Sequence, residues 1–220
     1  MLAALARQRN DDTFAVAIDE WTERLRTAVG AAWTGTHFLR GYTDAGKPVG
    51  DERVFINAQS WPVLGGCGSA EQRATALRHA LDFNATDLGL CLVNPPFPSP
   101  PPADVSSLPI PPGEGENGGV WPQAVAWFVW ALADAGMPDE ALALWRKNTL
   151  RHHYSTFPET PFGIWNGPDC YNSHLAGTRA HWTQTQLWDR RVHNPMNPSV
   201  AWQAFGMHRI LAAMSIVLRP

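Results

Sequence analysis

Apolar residues recur along the chain at the three- and four-residue intervals of amphipathic helices. Residues 13–29 predict the first helix, which would end at Gly30. Its predicted inner face comprises Phe14, Ala17, Ile18, Trp21, Leu25 and Val29. Residues 54–64 predict a second, shorter helix. Ser69 begins a third helix because Gln72, three residues later, completes a capping box. The expected inner positions of this third helix are Ala74, Leu77 and Leu81.

The second half of the chain predicts three further helices. Residues 121–135 are almost entirely apolar, which predicts a buried helix that ends at Gly136. A helix over residues 138–148 follows after a short turn, so these two helices should be antiparallel neighbours. The last predicted helix spans residues 198–217, with an apolar set of Val200, Ala201, Phe205, Ile210, Leu211 and Met214.

Two long connections interrupt the helical pattern. Residues 94–113 contain nine prolines, so they can form neither a helix nor a central strand. The apolar residues Phe97, Leu108 and Ile110 favour a stiff surface connection with a few packed anchors over a domain linker. Residues 151–197 exceed the usual length of a connection, which is typical of a functional loop. Because convincing β alternation is absent, the pattern predicts an all-α fold of about six helices.

Composition narrows the class of protein. The chain has 17 basic and 20 acidic residues, which gives no reason to expect nucleic acid or an anionic membrane as partner. No apolar run approaches the length of a membrane helix, and the first residues do not resemble a signal peptide. The three cysteines are far apart, and the histidine spacing matches no metal motif, so no metal is expected. These features predict a cytoplasmic protein.

Tryptophan is unusually frequent, with 11 residues against 3 tyrosines. Any one tryptophan is best explained as core, because indole buries a large area. Indole faces also stack on the apolar faces of sugar rings, in pockets where a few polar groups set orientation. The total therefore favours a carbohydrate ligand.

Four sequence landmarks follow one another in the first 119 residues. They are RGYTDAG at 40–46, FINAQSW at 55–61 with LGG at 64–66, NPPF at 94–97, and ENGG at 116–119. In this order they resemble glycoside hydrolase family 94, which includes cellobiose phosphorylase and was formerly grouped as glycosyltransferase family 36. Each landmark alone is a weak signal, whereas the ordered set is specific.

The resemblance implies an (α/α)6 barrel of twelve helices, with an active site at one mouth. The pattern predicts about six helices, which is half of twelve. Residues 1–220 are therefore expected to form one partial catalytic domain, the C-terminal half of such a barrel with long loops at one mouth. The resemblance also implies inverting attack on a β-glucoside in which a carboxylic acid protonates the leaving oxygen. In the family this acid is an Asp in a Trp-Asn-Asp stretch. No such stretch precedes Thr13, so the acid is expected upstream or in another chain.

Two positions depart from the family's pattern for binding phosphate. The family has a phosphate-contacting His a few residues after the two glycines, where this chain has Gln123. A Thr-Gly pair near the last helix corresponds here to Asn197 and Pro198, and Pro198 has no N–H to donate. Phosphorolysis, with inorganic phosphate as co-substrate, and hydrolysis by a relative of the phosphorylases therefore both stay open. No other cofactor is expected.

Two carboxylates are the catalytic candidates. Glu116 precedes a glycine turn at a predicted helix start, where N–H groups and the helix dipole favour an anionic ligand; it could equally be a stabilising helix-start carboxylate. Asp169 lies in the aromatic, polar stretch 165–174 and could act as the base of a hydrolase, orient sugar hydroxyls, or cap a turn. If Asp169 is only structural, Asp169→Asn should leave turnover nearly unchanged.

The remaining candidates would bind substrate. Gln59 is proposed to face the barrel mouth, although a buried helical Gln needs polar partners in any case. Trp61, in contrast, is expected in the core. The full set of substrate-binding candidates is Arg40, Tyr42, Asp44, Gln59, Glu116, Asn117, Gln123, Trp165, Asp169, Tyr171, His174 and Arg179.

Two functions remain open. The first is an enzyme segment that acts on β-linked gluco-oligosaccharides by inverting phosphorolysis or hydrolysis. The second is a non-catalytic, carbohydrate-binding or degenerate half-barrel that self-associates. The expected partners are accordingly an oligosaccharide and either a second copy or a missing N-terminal half. The discriminating feature is exposed hydrophobic surface, which a half-barrel should show on an uncovered face of the 121–135 helix.

Overall fold

Regular structure in this chain is mainly α-helical. The computed structural model describes residues 2–98, 110–156 and 170–176. The helices in these ranges are α1 (Leu2–Gln8), α2 (Asp12–Ala31), α3 (Asn57–Leu64), α4 (Ala70–Phe83), α5 (Pro122–Asp134), α6 (Pro138–Lys147) and α7 (Leu150–Thr156). A 3₁₀ turn covers His174–Ala176. The predicted all-α class is confirmed.

Six two-residue strands form three antiparallel pairs among the helices. They are β1 (Gly41–Tyr42), β2 (Pro48–Val49), β3 (Val54–Phe55), β4 (Ala85–Thr86), β5 (Gly89–Leu90) and β6 (Val93–Asn94). Strand β1 pairs with β2, β4 with β5, and β3 with β6. The predicted helix over 54–64 is therefore wrong at its start, because Val54 and Phe55 pair with Asn94 and Val93 and the helix begins at Asn57.

Helix α2 begins where its sequence provides a cap. The Asp11 side chain accepts a hydrogen bond from the backbone N–H of Phe14. The helix continues through Gly30 to Ala31, so the predicted end at Gly30 is wrong. A Cβ at Gly30 would make only an ordinary contact, 3.5 Å from the backbone nitrogen of Gly68, so this position does not require glycine.

Helix α4 has the predicted capping box. Ser69 accepts from the Gln72 backbone N–H, and the Gln72 side chain accepts from the Ser69 backbone N–H. Leu77 is fully buried as expected, whereas Ala74 and Leu81 are only half-buried.

The main core forms around α5. This helix begins at Pro122 and ends before Gly136, which adopts a positive φ, and α6 follows at Pro138, as predicted. Apolar residues of α5 are buried together with residues of α3, α4 and α6. The largest fully buried side chains in this core are Phe128, Ile56, Leu77, Leu90 and Leu132.

Helices α3 and α5 begin at the same end of the molecule. The Ile56 N–H donates to the Leu92 carbonyl at 3.1 Å, and the Leu92 N–H donates to the Gly119 carbonyl at 2.8 Å. These two bonds place Ile56, just before α3, and Gly119, in the loop before α5, on opposite sides of Leu92. The helices therefore run side by side from a common layer.

Several expectations about the chain are wrong or lie beyond the described ranges. Helices α1 and α7 were not predicted, and α7 occupies the start of the predicted loop 151–197. Trp61, expected in the core, is 61% exposed, although its ring lies 6.0 Å from that of Trp127 on α5. On α2, three of the six predicted inner residues are large side chains that are 43–55% exposed: Phe14, Trp21 and Leu25. The predicted helix 198–217 lies outside the described residues.

Within the described ranges, no helix is both long enough and apolar enough to cross a membrane.

Candidate functional site

A tight loop before α5 carries several predicted site residues. This glycine loop, Gly113–Gly119, closes through the Gly113 N–H, which donates to the Asn117 carbonyl at 2.8 Å. The Asn117 N–H donates to the Glu114 carbonyl and the Gly119 N–H to the Gly115 carbonyl. Glu116 lies at its exposed turn. The indole N–H of Trp121, at the start of α5, also donates to the Gly115 carbonyl at 2.9 Å.

Glycine is required at two positions of this loop for steric reasons. A Cβ on Gly119 would lie 2.7 Å from the Gly115 carbonyl oxygen, closer than real Cβ atoms approach. Gly113 combines a φ of +81° with a Cβ position only 2.1 Å from the backbone nitrogen of Ala176. The motif glycines therefore allow backbone segments to contact each other directly.

The segment 170–176 is joined to the glycine loop by backbone hydrogen bonds. The Val120 N–H donates to the Tyr171 carbonyl at 2.7 Å, and the Tyr171 N–H donates to the Val120 carbonyl at 2.8 Å. The Ser173 N–H donates to the Gly113 carbonyl at 2.8 Å. The structure thus brings Tyr171 and the His174 segment to the loop that carries Glu116, although they are distant in sequence. Sequence reasoning missed Ser173, whose contribution is a backbone contact that no motif signals.

Asn117 is buried and occupied by backbone partners. Its side-chain oxygen accepts from the Phe97 N–H at 2.7 Å, and its amide group donates to the carbonyls of Phe97 and Ile110. One side chain therefore holds the backbone at both described ends of the proline-rich connection. The Phe97 ring packs on that of Phe55, as expected of an apolar anchor, whereas Ile110 contributes its carbonyl and Leu108 lies outside the described residues. These contacts favour a structural role for Asn117, and its contact with substrate stays a prediction.

Gln59 makes the same kind of contact in the second landmark. Its side-chain oxygen accepts from the Phe38 N–H at 2.8 Å, and its amide group donates to the carbonyls of Phe38 and Phe55 at 3.0 Å. The side chain is fully buried. Its polar atoms therefore point into the protein and not toward the proposed mouth, which favours the structural alternative.

Arg40, Tyr42 and Asp44 lie on the β1–β2 hairpin. The turn closes through the Thr43 N–H, which donates to the Lys47 carbonyl at 2.9 Å, and all three candidate side chains are exposed. Past the hairpin, the guanidinium carbon of Arg53 lies 4.4 Å from the centre of the Phe97 ring. Because Phe97 is held by Asn117, this contact links the base of the hairpin to the glycine loop.

Two neutral ionisable groups, one in the segment 170–176 and one in α7, contact each other in the interior. Burial raises the pKa of Tyr171 and keeps the phenol protonated, and burial lowers the pKa of His153 to about 4. The two rings meet edge to face with centres 4.3 Å apart. His153 and its neighbour His152 lie in α7 and bond to the carbonyls of Leu88 and Asp87. Both histidines therefore belong to a helix and not to the predicted loop, and His153 packs against Tyr171 of the candidate site.

Gln123 occupies the second position of α5 and is half-buried. Its side-chain oxygen has no hydrogen-bond partner in the part of the chain that the structure describes, and the same holds for the side-chain oxygens of Asn57 and Asn172. Trp165, Asp169 and Arg179 lie outside the described residues. Across the described ranges, no group of three side chains could hold a metal ion.

Comparison with known proteins identifies carbohydrate-active relatives. A family model described as Glycosyl hydrolase 94 superfamily, catalytic domain, matches residues 1–159. The chain is 31% identical over 169 residues to 3-O-beta-D-glucopyranosyl-beta-D-glucuronide phosphorylase of Paenibacillus borealis, covering 74% of this chain and 21% of that protein. It is 28% identical over 192 residues to cyclic beta-(1,2)-glucan synthase NdvB of Rhizobium meliloti (strain 1021), covering 81% of this chain and 7% of that protein.

A solved structure shows the same fold. The GH63 mannosylglycerate hydrolase from Thermus thermophilus, in complex with Tris, superposes with a TM-score of 0.59 at 17% identity and covers 96% of this chain and 42% of that one. At this identity the likeness concerns the fold alone, and it agrees with part of an (α/α) barrel. The chain thus spans less than half the length of each of these proteins.

Proposed function

The chain belongs to the glycosyl hydrolase 94 superfamily, and we propose that it forms the part of a catalytic domain that binds a β-linked gluco-oligosaccharide. The superfamily comprises enzymes that act on glucans as phosphorylases or hydrolases. The Paenibacillus borealis relative is a phosphorylase by name. The observation that carries the proposal is the junction of the glycine loop with residues 170–176 at the start of α5. This junction gathers Glu116, Gln123, Tyr171 and the His174 turn at one helix end.

The proposed reaction inverts the anomeric carbon. A carboxylic acid from outside these 220 residues donates its proton to the glycosidic oxygen, and the bond from that oxygen to the anomeric carbon breaks. An oxygen of phosphate or water bonds to the anomeric carbon from the opposite face. If water is the nucleophile, a carboxylate must accept its proton, and Glu116 or Asp169 would serve.

We propose that phosphate dependence is weak. A phosphate ion needs cationic groups and N–H donors at its site. Gln123 is neutral, and Pro122 before it contributes no N–H at the first position of α5. The phosphorylase name of the Paenibacillus borealis relative favours the opposite outcome, so the nucleophile is the point to test.

The test uses the protein expressed from its natural gene, with any in-frame sequence before Met1. It is incubated with cellobiose, laminaribiose and sophorose, with and without inorganic phosphate, while glucose and glucose 1-phosphate are measured. Release of glucose in both conditions is expected. Strict phosphate dependence with formation of glucose 1-phosphate would overturn the choice of water. Glu116→Gln tests the role of Glu116 whether water or phosphate is the nucleophile. Glu52→Gln, which alters another exposed carboxylate, is its control.

A second candidate function is supported by exposed apolar surface. Phe14, Trp21 and Leu25 on one side of α2 are each at least 43% exposed, which is unusual for large apolar side chains that recur at helical spacing. In this alternative the chain is a non-catalytic half-barrel that associates with a second copy or with an N-terminal half. We also propose a cytoplasmic location, because the buried thiols of Cys67 and Cys91 form no disulfide in the described part of the chain.

A further inference from the structure

Helices α3 and α5 each carry an amide residue followed, one turn later, by a tryptophan. On α3 these residues are Asn57 and Trp61, and on α5 they are Gln123 and Trp127. Residues four positions apart lie on the same face of a helix, one above the other. Each helix therefore presents a carboxamide near its start and an indole one turn further along.

The two helices place these pairs next to each other. Because α3 and α5 start from the same layer and run side by side, their first and second turns lie at matching heights. The ring contacts agree, since the centres of Trp61 and Trp127 are 6.0 Å apart and those of Trp127 and Trp130 are 5.5 Å apart. The three indoles thus form a row that leads away from the glycine loop, and we name it the tryptophan row.

The chemistry of this face suits a sugar chain. Pyranose rings combine an apolar face, which packs on indole, with hydroxyl groups that donate hydrogen bonds. The side-chain oxygens of Asn57 and Gln123 have no donor among the described residues. Both oxygens are themselves buried, although each residue as a whole is half-buried. Rotation about the broad terminal torsion would therefore be needed to bring each oxygen to a hydroxyl. Trp61, at 61% exposure, offers the most accessible indole of the row.

We propose that the tryptophan row and the two carboxamides bind glucosyl units of a β-linked oligosaccharide that extends from the glycine loop. The inference rests on the carbohydrate-directed function proposed above and adds the surface that holds the rest of the chain. Continuity supports a sugar over a protein partner, because Trp121 is bonded to the glycine loop and Gln123 lies two residues further along. In a protein–protein interface, polar residues usually form a rim around an apolar centre. Here the two carboxamides lie instead at the starts of α3 and α5.

The experiment measures binding of cellobiose, cellotriose and sophorotriose to the 220-residue chain by isothermal titration calorimetry. Trp61→Ala is expected to weaken trisaccharide binding about three- to tenfold, the usual value of an aromatic contact beyond its buried area. Trp61→Phe should recover part of the loss. Trp21→Ala is the matched control, because Trp21 is a 55% exposed tryptophan on α2 that is not part of the tryptophan row, and it should bind as the wild type does. Circular dichroism and thermal melting confirm that each variant is folded.

The outcomes separate this inference from the proposed function. If the wild-type chain binds oligosaccharide and Trp61→Ala binds equally well, the tryptophan row is not a sugar site, while the proposed function stands. Equal losses in Trp61→Ala and Trp21→Ala would also overturn the inference. If Trp61→Ala lowers the sedimentation coefficient without changing sugar affinity, the face contacts a second copy instead. Absence of any sugar binding by the wild-type chain overturns both proposals.

Discussion

Buried carboxamide side chains replace missing strand contacts at several points of this protein. The strands are only two residues long, so they leave many backbone groups in the core without a ladder partner. Gln59 and Asn117 each pair with both backbone groups of one phenylalanine, and the Asn84 amide group donates to the carbonyls of Val54 and Cys91. The helices and loops are therefore tied together largely by single side chains.

Gln59→Leu should destabilise the protein strongly. Leucine keeps a similar volume but leaves the Phe38 N–H and two carbonyls without partners in the core, which costs about 3 kcal/mol. Urea unfolding followed by circular dichroism measures the loss, and Gln72→Leu, in the exposed capping box, should cost only about 1 kcal/mol. A Gln59→Leu variant of normal stability with weaker sugar binding would instead support the substrate contact predicted from sequence.

His153 should make stability fall with acid. Its pKa is about 4 in the folded protein, below the ordinary value of about 6.5 in an unfolded chain. The unfolded state therefore binds more protons between these values, so stability is complete above about pH 6.5 and is lost progressively toward about pH 4. The lowered pKa of His79 acts in the same direction.

Replacing His153 isolates this contribution. His153→Gln should have a flatter dependence of unfolding free energy on pH from 6.5 to 4, by up to about 3 kcal/mol. His152→Gln, which alters the adjacent and less buried histidine, should retain the slope. Unfolding in urea across this pH range gives the measurement, and an unchanged slope in His153→Gln would show that this ring does not titrate as its burial requires.

The residue scale was the least predictable from sequence. The landmarks predicted substrate contacts for Gln59 and Asn117, but the sequence could not tell a ligand contact from the backbone contacts that both side chains make. That choice depends on Phe38 and Phe97, which lie 21 and 20 residues away in irregular segments. Periodicity carries no information on such pairs.

At the scale of elements, the glycine loop determines how the site is assembled. Gly119→Ala should disturb it, because the added Cβ would lie 2.7 Å from the Gly115 oxygen and 3.1 Å from the Tyr171 oxygen. We expect a loss of about 2 kcal/mol or more of stability, as for other forced backbone shifts, together with weaker sugar binding. Gly41→Ala is the matched control, since nothing lies within 4 Å of its Cβ position. Equal stability of both variants by thermal melting would contradict the packing described here.

Elements with a strong pattern were predicted well, and short ones were not. Helices α2, α4, α5 and α6 each combine apolar periodicity with a cap or proline signal. Helices α1 and α7 have only seven residues each, too few for periodicity to distinguish them from loops. Strand β3 was mistaken for helix because two apolar residues before a helix read as its first turn, and only the partner β6 reveals the strand.

At the scale of the whole molecule, exposed apolar side chains on α2 should cause association. Trp21→Glu together with Leu25→Glu should lower the apparent mass in sedimentation velocity and reduce binding of a hydrophobic dye. Val16→Glu is the control, because Val16 is 51% exposed on the opposite side of the same helix. A wild-type chain that stays monomeric at high concentration and binds no dye would rule out association through α2.

The family and class could be obtained from sequence, but the distribution of exposed surface could not. Ordered landmarks identify a family because they record which residue types recur together along a chain. Exposure of Trp61 and Trp21 depends on which other elements pack against α3 and α2, and neither helix carries that information itself. An apolar stripe predicts that a helix has a partner without showing whether the partner is present.

The clamp formed by Asn117 has a consequence for how this protein tolerates change in length. Because one side chain fixes Phe97 and Ile110, the path between them begins and ends at the same place whatever its length. Doubling such a path costs only about 0.6 kcal/mol of chain entropy. An insertion at any point between Phe97 and Ile110 would therefore leave both ends of the path on the Asn117 side chain, so evolution, or a protein engineer, could add a foreign domain there at a small cost in chain entropy.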